Sequence, residues 1–267
     1  MENSICANQV NPLARWRELV WPREHGSWSL ALEPLAFGLL VAPSAAGACL
    51  AGAVLAAFFA RRPLKIALRD SQFERRAAAR GPLVVLALMV IGFFLGAFTL
   101  RGGVAWLAWL LPSAAAGAVF LFFDLRGDGR EEAAEVAGAA AFAFLPAALA
   151  ALAGWGATGA LALALAMCGR SVPTVLAVRA ALRAQKTGER HIASALSAAL
   201  IAVVVVAVFA RGGFAPRAAV VLLAVLAMRA AWLLAFPRPA LRARTLGILE
   251  AILGVAFVAV MAAAWRA

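Results

Sequence analysis

Two of the thirteen acidic residues, Glu33 and Glu250, fall inside long apolar runs, where an ionised carboxylate is expensive to hold. Such a group points to a site or to a buried ion pair, and Arg229 is the nearest partner in pattern. Ahead of the first run, Trp21-Pro22-Arg23-Glu24-His25-Gly26-Ser27-Trp28 packs an acid, an imidazole and a glycine together. Histidine is the side chain most easily tuned for proton transfer near neutrality, which makes Glu24 and His25 candidates for acid–base work. Trp21 and Trp28 equally suit a plain interfacial anchor.

The basic residues form a second group. In RRPLKIALRD (residues 61–70), helical spacing places Arg62, Lys65 and Arg69 on one face with Asp70 at its edge. Guanidinium and ammonium groups so arranged suit a phosphate or diphosphate. The competing reading is a flank that touches anionic lipid. Residues 170–191 repeat the outline, with Arg170, then Arg179 and Arg183 four apart. Between these arms, DLRGDGREEAAE (residues 124–135) spaces Asp124, Asp128 and Glu132 four apart, a pattern that on one helix face could share Mg²⁺. Gly127 and Gly129 weaken that helix, and a solvated connection balancing nearby arginines is the alternative.

The elements that must position these groups are membrane spans. Of 267 residues, 65% are hydrophobic and 14% charged, and the mean hydropathy is +0.91. A water-facing domain carries about 25% charged residues. The apolar runs are about 18 to 22 residues long, enough for the ~30 Å hydrocarbon core. Lipid satisfies no backbone hydrogen bonds, and the runs lack the alternation of barrel strands, so they are helices. The expected fold is an all-α polytopic bundle with nine spans over 27–43, 45–61, 82–100, 103–123, 134–153, 155–170, 192–210, 216–236 and 245–264, with Pro43, Pro112, Pro146 and Pro173 as candidate kinks or ends. Residues 1–26 are expected to form an N-terminal segment whose Leu13, Trp16, Leu19 and Val20 make an interfacial helical face, and residues 27–267 the transmembrane domain.

Four of the 25 Lys and Arg (Arg101, Arg211, Arg217 and Arg266) fall on one side of these spans, and the rest fall on the other. The positive-inside rule then predicts the N-terminus in the cytoplasm and the C-terminus outside. The net charge of +12 is thereby explained by topology, and no aromatic-interleaved basic patch points to nucleic acid. Cys6, Cys49 and Cys168 are isolated and offer neither a disulfide framework nor a zinc site. No apolar leader precedes a cleavage site, so the first span is expected to direct insertion.

The segments Pro22–Trp28 and RRPLKIALRD, with the closing LGILEAILG (Leu246–Gly254), resemble the YwiC-like family of bacterial membrane proteins along essentially the whole chain. That resemblance implies a multi-pass protein of the bacterial inner membrane and names no reaction. Nine spans with long arms after the second and sixth also look like the UbiA-type prenyltransferases, whose Asp-rich motifs hold Mg²⁺ and a prenyl diphosphate. Here the matching arms carry Arg62, Lys65, Arg69 and Asp70, then Arg170, Arg179 and Arg183, without the aspartate motifs. Three readings follow. The first is a transferase acting on a lipid or isoprenoid phosphate, with Glu24, His25, Asp70 and Glu250 as its acids and bases. The others are a non-catalytic membrane partner or assembly protein, and a small-molecule transporter. The transferase reading requires Glu24, His25, Arg62, Arg69, Asp70 and Glu250 to converge on one cytoplasmic pocket.

Overall fold

The computed structural model describes residues 16, 18–21, 25–188, 192–236 and 243–267, with the side chains of residues 25–27, 243 and 244 left aside. Among the described residues the ordered elements are all helices. They are α1 (His25–Val41), α2 (Ala45–Arg69), α3 (Phe73–Arg101), a 3₁₀ turn (Ala105–Leu110) leading into α4 (Leu111–Arg126), α5 (Glu132–Ala143), α6 (Leu145–Leu152), α7 (Ala157–Thr187), α8 (Ala193–Arg211), α9 (Arg217–Ala235) and α10 (Ala243–Arg266). Eight helical stretches are long and apolar enough to cross a membrane, and α1 adds a shorter apolar stretch, Trp28–Val41. These match the nine predicted spans one for one, and the chain is an all-α, multi-pass membrane protein.

The prolines behave according to their position. Pro43 follows the end of α1, and the next residue, Ser44, caps α2 by accepting from the Gly47 N–H at 3.0 Å. Pro112 and Pro146 stand in the first turns of α4 and α6, where a missing N–H costs nothing. Pro146 also splits the fifth span into α5 and α6. Pro63 and Pro173 lie inside α2 and α7, and both helices continue through them. The second and sixth spans therefore do not stop at residues 61 and 170. Their helices run on to Arg69 and Thr187, so the predicted arms are helix extensions. The real connection after α2 is short: Asp70 caps the helix with its N–H on Ile66 O, and its carboxylate binds Arg75 at 3.1 Å and the Gln72 N–H at 2.9 Å.

α7 is the central helix, packed by α1, α5, α6, α8 and α9. Its buried residues Ala160, Ala162, Ala164, Ala166, Ala177 and Ala180 are small, which lets neighbouring backbones approach where no hydrophobic driving force separates protein from lipid. α2 and α3 form a long hairpin, and α4 pairs with α5. α3 packs on α2 and little else, leaving a space between this hairpin and α4–α7. At the N-terminus, Leu19 is buried and Trp21 lies 4.8 Å from Trp28, centroid to centroid, next to Phe58 and Phe59 of α2. Leu13 and most of the predicted interfacial segment lie outside the described residues.

The ends of the bundle segregate charge as the sequence count requires. Arg101 reaches Ala151 O and Arg266 reaches Leu40 O at one end, while Arg61, Lys65 and Arg179 find their partners at the other. Placing the richer end in the cytoplasm rests on the positive-inside rule. A reporter fused after Ala267 is expected to score as extracytoplasmic, and cytoplasmic activity there would overturn that orientation.

Candidate functional site

Three ionic clusters organise the interior. The deepest joins four helices. Arg170 of α7, 2% exposed, stands 3.7 Å from Glu33 of α1 and 3.7 Å from Glu250 of α10. It also donates to the Glu250 main-chain carbonyl at 2.9 Å and to Thr174 Oγ1 at 2.5 Å. Glu250 meets Arg229 of α9 at 2.6 Å, and Ser29 donates to Glu33. Two carboxylates and two guanidiniums balance, which is how charge is tolerated inside a bundle. Gly254 makes room for the cluster: a Cβ there would overlap the Glu33 carboxylate.

The second cluster holds Asp124, 2% exposed, at the end of α4. Arg61 grips it bidentately at 2.9 and 3.1 Å, and Lys65 binds at 2.8 Å. The Arg61 guanidinium also stacks 4.6 Å over the Phe120 ring. In the third cluster, Arg179 of α7 pairs with Glu135 at 2.8 Å and Glu132 at 3.6 Å, and donates to Arg130 O at 2.6 Å. This ties the start of α5 and the preceding loop to α7.

A single cavity of about 1320 Å³ connects parts of all three clusters. Apolar side chains of α2, α3, α4, α5 and α7 form most of its wall. Glu33, Arg170 and Glu250 lie on one side, and Arg61 and Arg179 stand further along. Beyond them, Arg130, Arg183 and Lys186 also face it. These three side chains are exposed, and among the described residues no carboxylate pairs with them. The cavity is therefore apolar over most of its length and cationic at one rim.

The sequence-predicted residues divide accordingly. Glu24 lies outside the described residues, and His25 begins α1 with its side chain outside them. Glu250, Arg170 and Arg179 line the cavity. Lys65 is turned to Asp124, Arg62 donates to Trp21 O, Arg69 is exposed at the end of α2, and Asp70 closes the turn; none of these four lines the cavity. The required convergence thus fails for Arg62, Arg69 and Asp70. The helical face that matters on α2 is the one through Arg61 and Lys65, four apart, whereas the expectation chose Arg62, Lys65 and Arg69.

Asp124, Asp128 and Glu132 do not come together. Gly127, at φ +96°, ends α4 in a left-handed cap, and α5 starts afresh at Glu132, so the four-residue spacing does not carry across. Asp124 is taken by Arg61 and Lys65, Glu132 by Arg179, and Asp128 is exposed in the loop. Among the described residues no three His, Cys, Asp or Glu side chains gather as metal ligands, so these three do not fit a shared Mg²⁺. The pairing of Glu33 with Arg170 was not anticipated. The only sequence signal was that an intramembrane Arg and an intramembrane Glu each need a partner.

Comparison with known families finds a match to the family described as YwiC-like protein, over residues 21–148. It covers α1 through the first half of α6, including the α2 face that holds Asp124, and it stops before Arg170 and the Leu246–Gly254 segment. Neither the curated proteins nor the solved structures yield a match, so the likeness to UbiA-type enzymes finds no support there. Residues 21–148, from Trp21 to the buried Ala148 of α6, carry the similarity of this multi-pass membrane protein to the YwiC-like family.

Proposed function

We propose that the protein, set in a bacterial inner membrane, binds a lipid or isoprenoid phosphate from the cytoplasmic side. The apolar chain occupies the cavity, and the phosphate sits against Arg130, Arg183 and Lys186. One observation carries this reading: among the described residues, three cations with no carboxylate partner edge a cavity whose wall is mostly apolar. That combination suits a ligand anionic at one end and hydrocarbon at the other. Arginine adds fork geometry matched to phosphate oxygens. Binding is the step proposed. Group transfer of the UbiA kind would need a free acid at the phosphate, and Asp124, Glu132 and Glu135 are all held by Arg or Lys side chains. Passage through the protein fits less well, because Leu50, Phe94, Leu110 and Leu145 close the end of the cavity away from the cationic rim.

The test is equilibrium binding of dodecyl phosphate and dodecanol to the protein in nanodiscs. With ~1 kcal/mol per cation facing an anionic surface, the triple variant Arg130→Ala, Arg183→Ala, Lys186→Ala should weaken phosphate binding on the order of a hundredfold and leave the alcohol unchanged. Raising salt from about 0.1 to 1 M, which shortens the screening length from about 10 to 3 Å, should also weaken only the phosphate. Equal losses for both ligands would contradict the proposal.

A further inference from the structure

The cavity has a floor. Its lining ends at Leu50 on α2, Phe94 on α3, Leu110 before α4 and Leu145 on α6. Behind these lies a packed apolar cluster in which Leu50 is 2% exposed, Trp106 3% and Leu145 4%, with Phe94 and Leu110 packed against it. Phe94 and Trp106 stack at 5.6 Å between centroids, which stiffens that end.

The depth from the cationic level to this floor follows from helix geometry. Arg61 and Leu50 are eleven residues apart on α2, about 16 Å at 1.5 Å per residue. On α7 the lining extends from Thr187 back to Arg170, and from Arg183 of the cationic rim to Arg170 is thirteen residues or about 20 Å. These distances run from about half to about two-thirds of the ~30 Å hydrocarbon core, comparable with the reach of one leaflet's chains. Width is not limiting, since the volume exceeds the ~300–1,000 Å³ of a drug-sized site.

We infer that the floor selects chain length, so that the ligand is an anionic amphiphile whose chain is one leaflet deep and not a long polyprenyl carrier. This rests on the phosphate-binding reading for the headgroup, while the depth argument concerns the chain alone. Gly117 and Phe94 set the usable length. Gly117 faces open space, its nearest outside neighbour being the Ala141 Cβ at 3.9 Å from an added Cβ, so a large side chain there would enter the cavity part-way down. Removing the Phe94 ring would lower the floor.

Native mass spectrometry of the protein offered an equimolar mixture of decyl, hexadecyl, octadecyl, tetracosyl and undecaprenyl phosphates, with the matching alcohols in a parallel mixture, tests this. The hexadecyl and octadecyl compounds should be retained on the order of tenfold over tetracosyl and undecaprenyl, the lower range for surplus methylenes against a closed apolar wall. Gly117→Phe should move the preference to decyl or abolish retention, and Phe94→Ala should move it to longer chains. A distribution flat in length, one favouring undecaprenyl, or one unmoved by both variants would overturn the inference. If alcohols and phosphates show the same length preference and equal retention, the chain inference stands and the phosphate reading fails. Retention of neither class overturns both.

Discussion

Arg170→Met is expected to destabilise the protein by about 3–5 kcal/mol, the cost of leaving buried charge without its partner. Arg170 is the hinge of the deepest cluster, with Glu33 on one side and Glu250 on the other, and it is almost fully enclosed. Without it, Glu33 keeps, among the described residues, the Ser29 hydroxyl, while Glu250 keeps Arg229. The methionine side chain fills much of the space, so the loss is electrostatic more than steric. Adding Glu33→Gln removes the stranded carboxylate and should recover more than half of the loss. Thermal and denaturant unfolding in the same nanodiscs measures both. A single variant within about 1 kcal/mol of wild type would show that the cluster does not hold α1, α7 and α10 together. No recovery in the double variant would show that packing, not charge, sets the cost.

Asp124→Asn should move stability and binding in opposite directions. The substitution keeps the shape and removes the charge that neutralises Arg61 and Lys65. Those cations are 25% and 42% exposed, so water can hydrate them, and the loss should stay near the ~1.5–3 kcal/mol of hydrogen bonds to charged groups. Arg61 already lines the cavity. Without the Asp124 charge, it and Lys65 add positive potential near the phosphate position, and dodecyl phosphate should bind about tenfold more tightly, the worth of roughly one added cation at ~1 kcal/mol or slightly more. Dodecanol binding should not change. Weaker phosphate binding in this variant would mean that Asp124 organises the site instead of competing for its cations.

The sequence revealed the spans far better than the site, and particular residues show why. Runs such as residues 82–100 and 192–210 announce membrane helices by length and apolarity alone, and α3 and α8 match them to within a residue or extend past them. Helix ends were less legible where the helix outlasts the bilayer. α2 and α7 continue through Pro63 and Pro173 into polar sequence, so apolarity stops marking them at about residues 61 and 170 while hydrogen bonding carries on. Facing was the hardest feature. Around α7 small apolar residues cover most of the circumference in the membrane, so no stripe tells which side Arg170 occupies. The choice between Arg61 and Arg62 turned on a partner, Asp124, sixty-three positions away. The Asp124-Asp128-Glu132 spacing misled because a left-handed glycine intervened. Pairings across the bundle, such as Glu33 with Arg170, depend on helix order, which local spacing does not encode.

The central claim is that the cavity holds a phosphate-bearing amphiphile by its cationic rim. Identifying the lipids that remain bound after purification in mild detergent tests it most directly, with wild type, the Arg130→Ala, Arg183→Ala, Lys186→Ala variant and Gly117→Phe compared by mass spectrometry. The account predicts a phosphate-headed amphiphile on the wild-type protein, lost from the rim variant and from Gly117→Phe while both remain folded. A neutral lipid in its place, or a phosphate lipid retained equally by all three proteins, would contradict it.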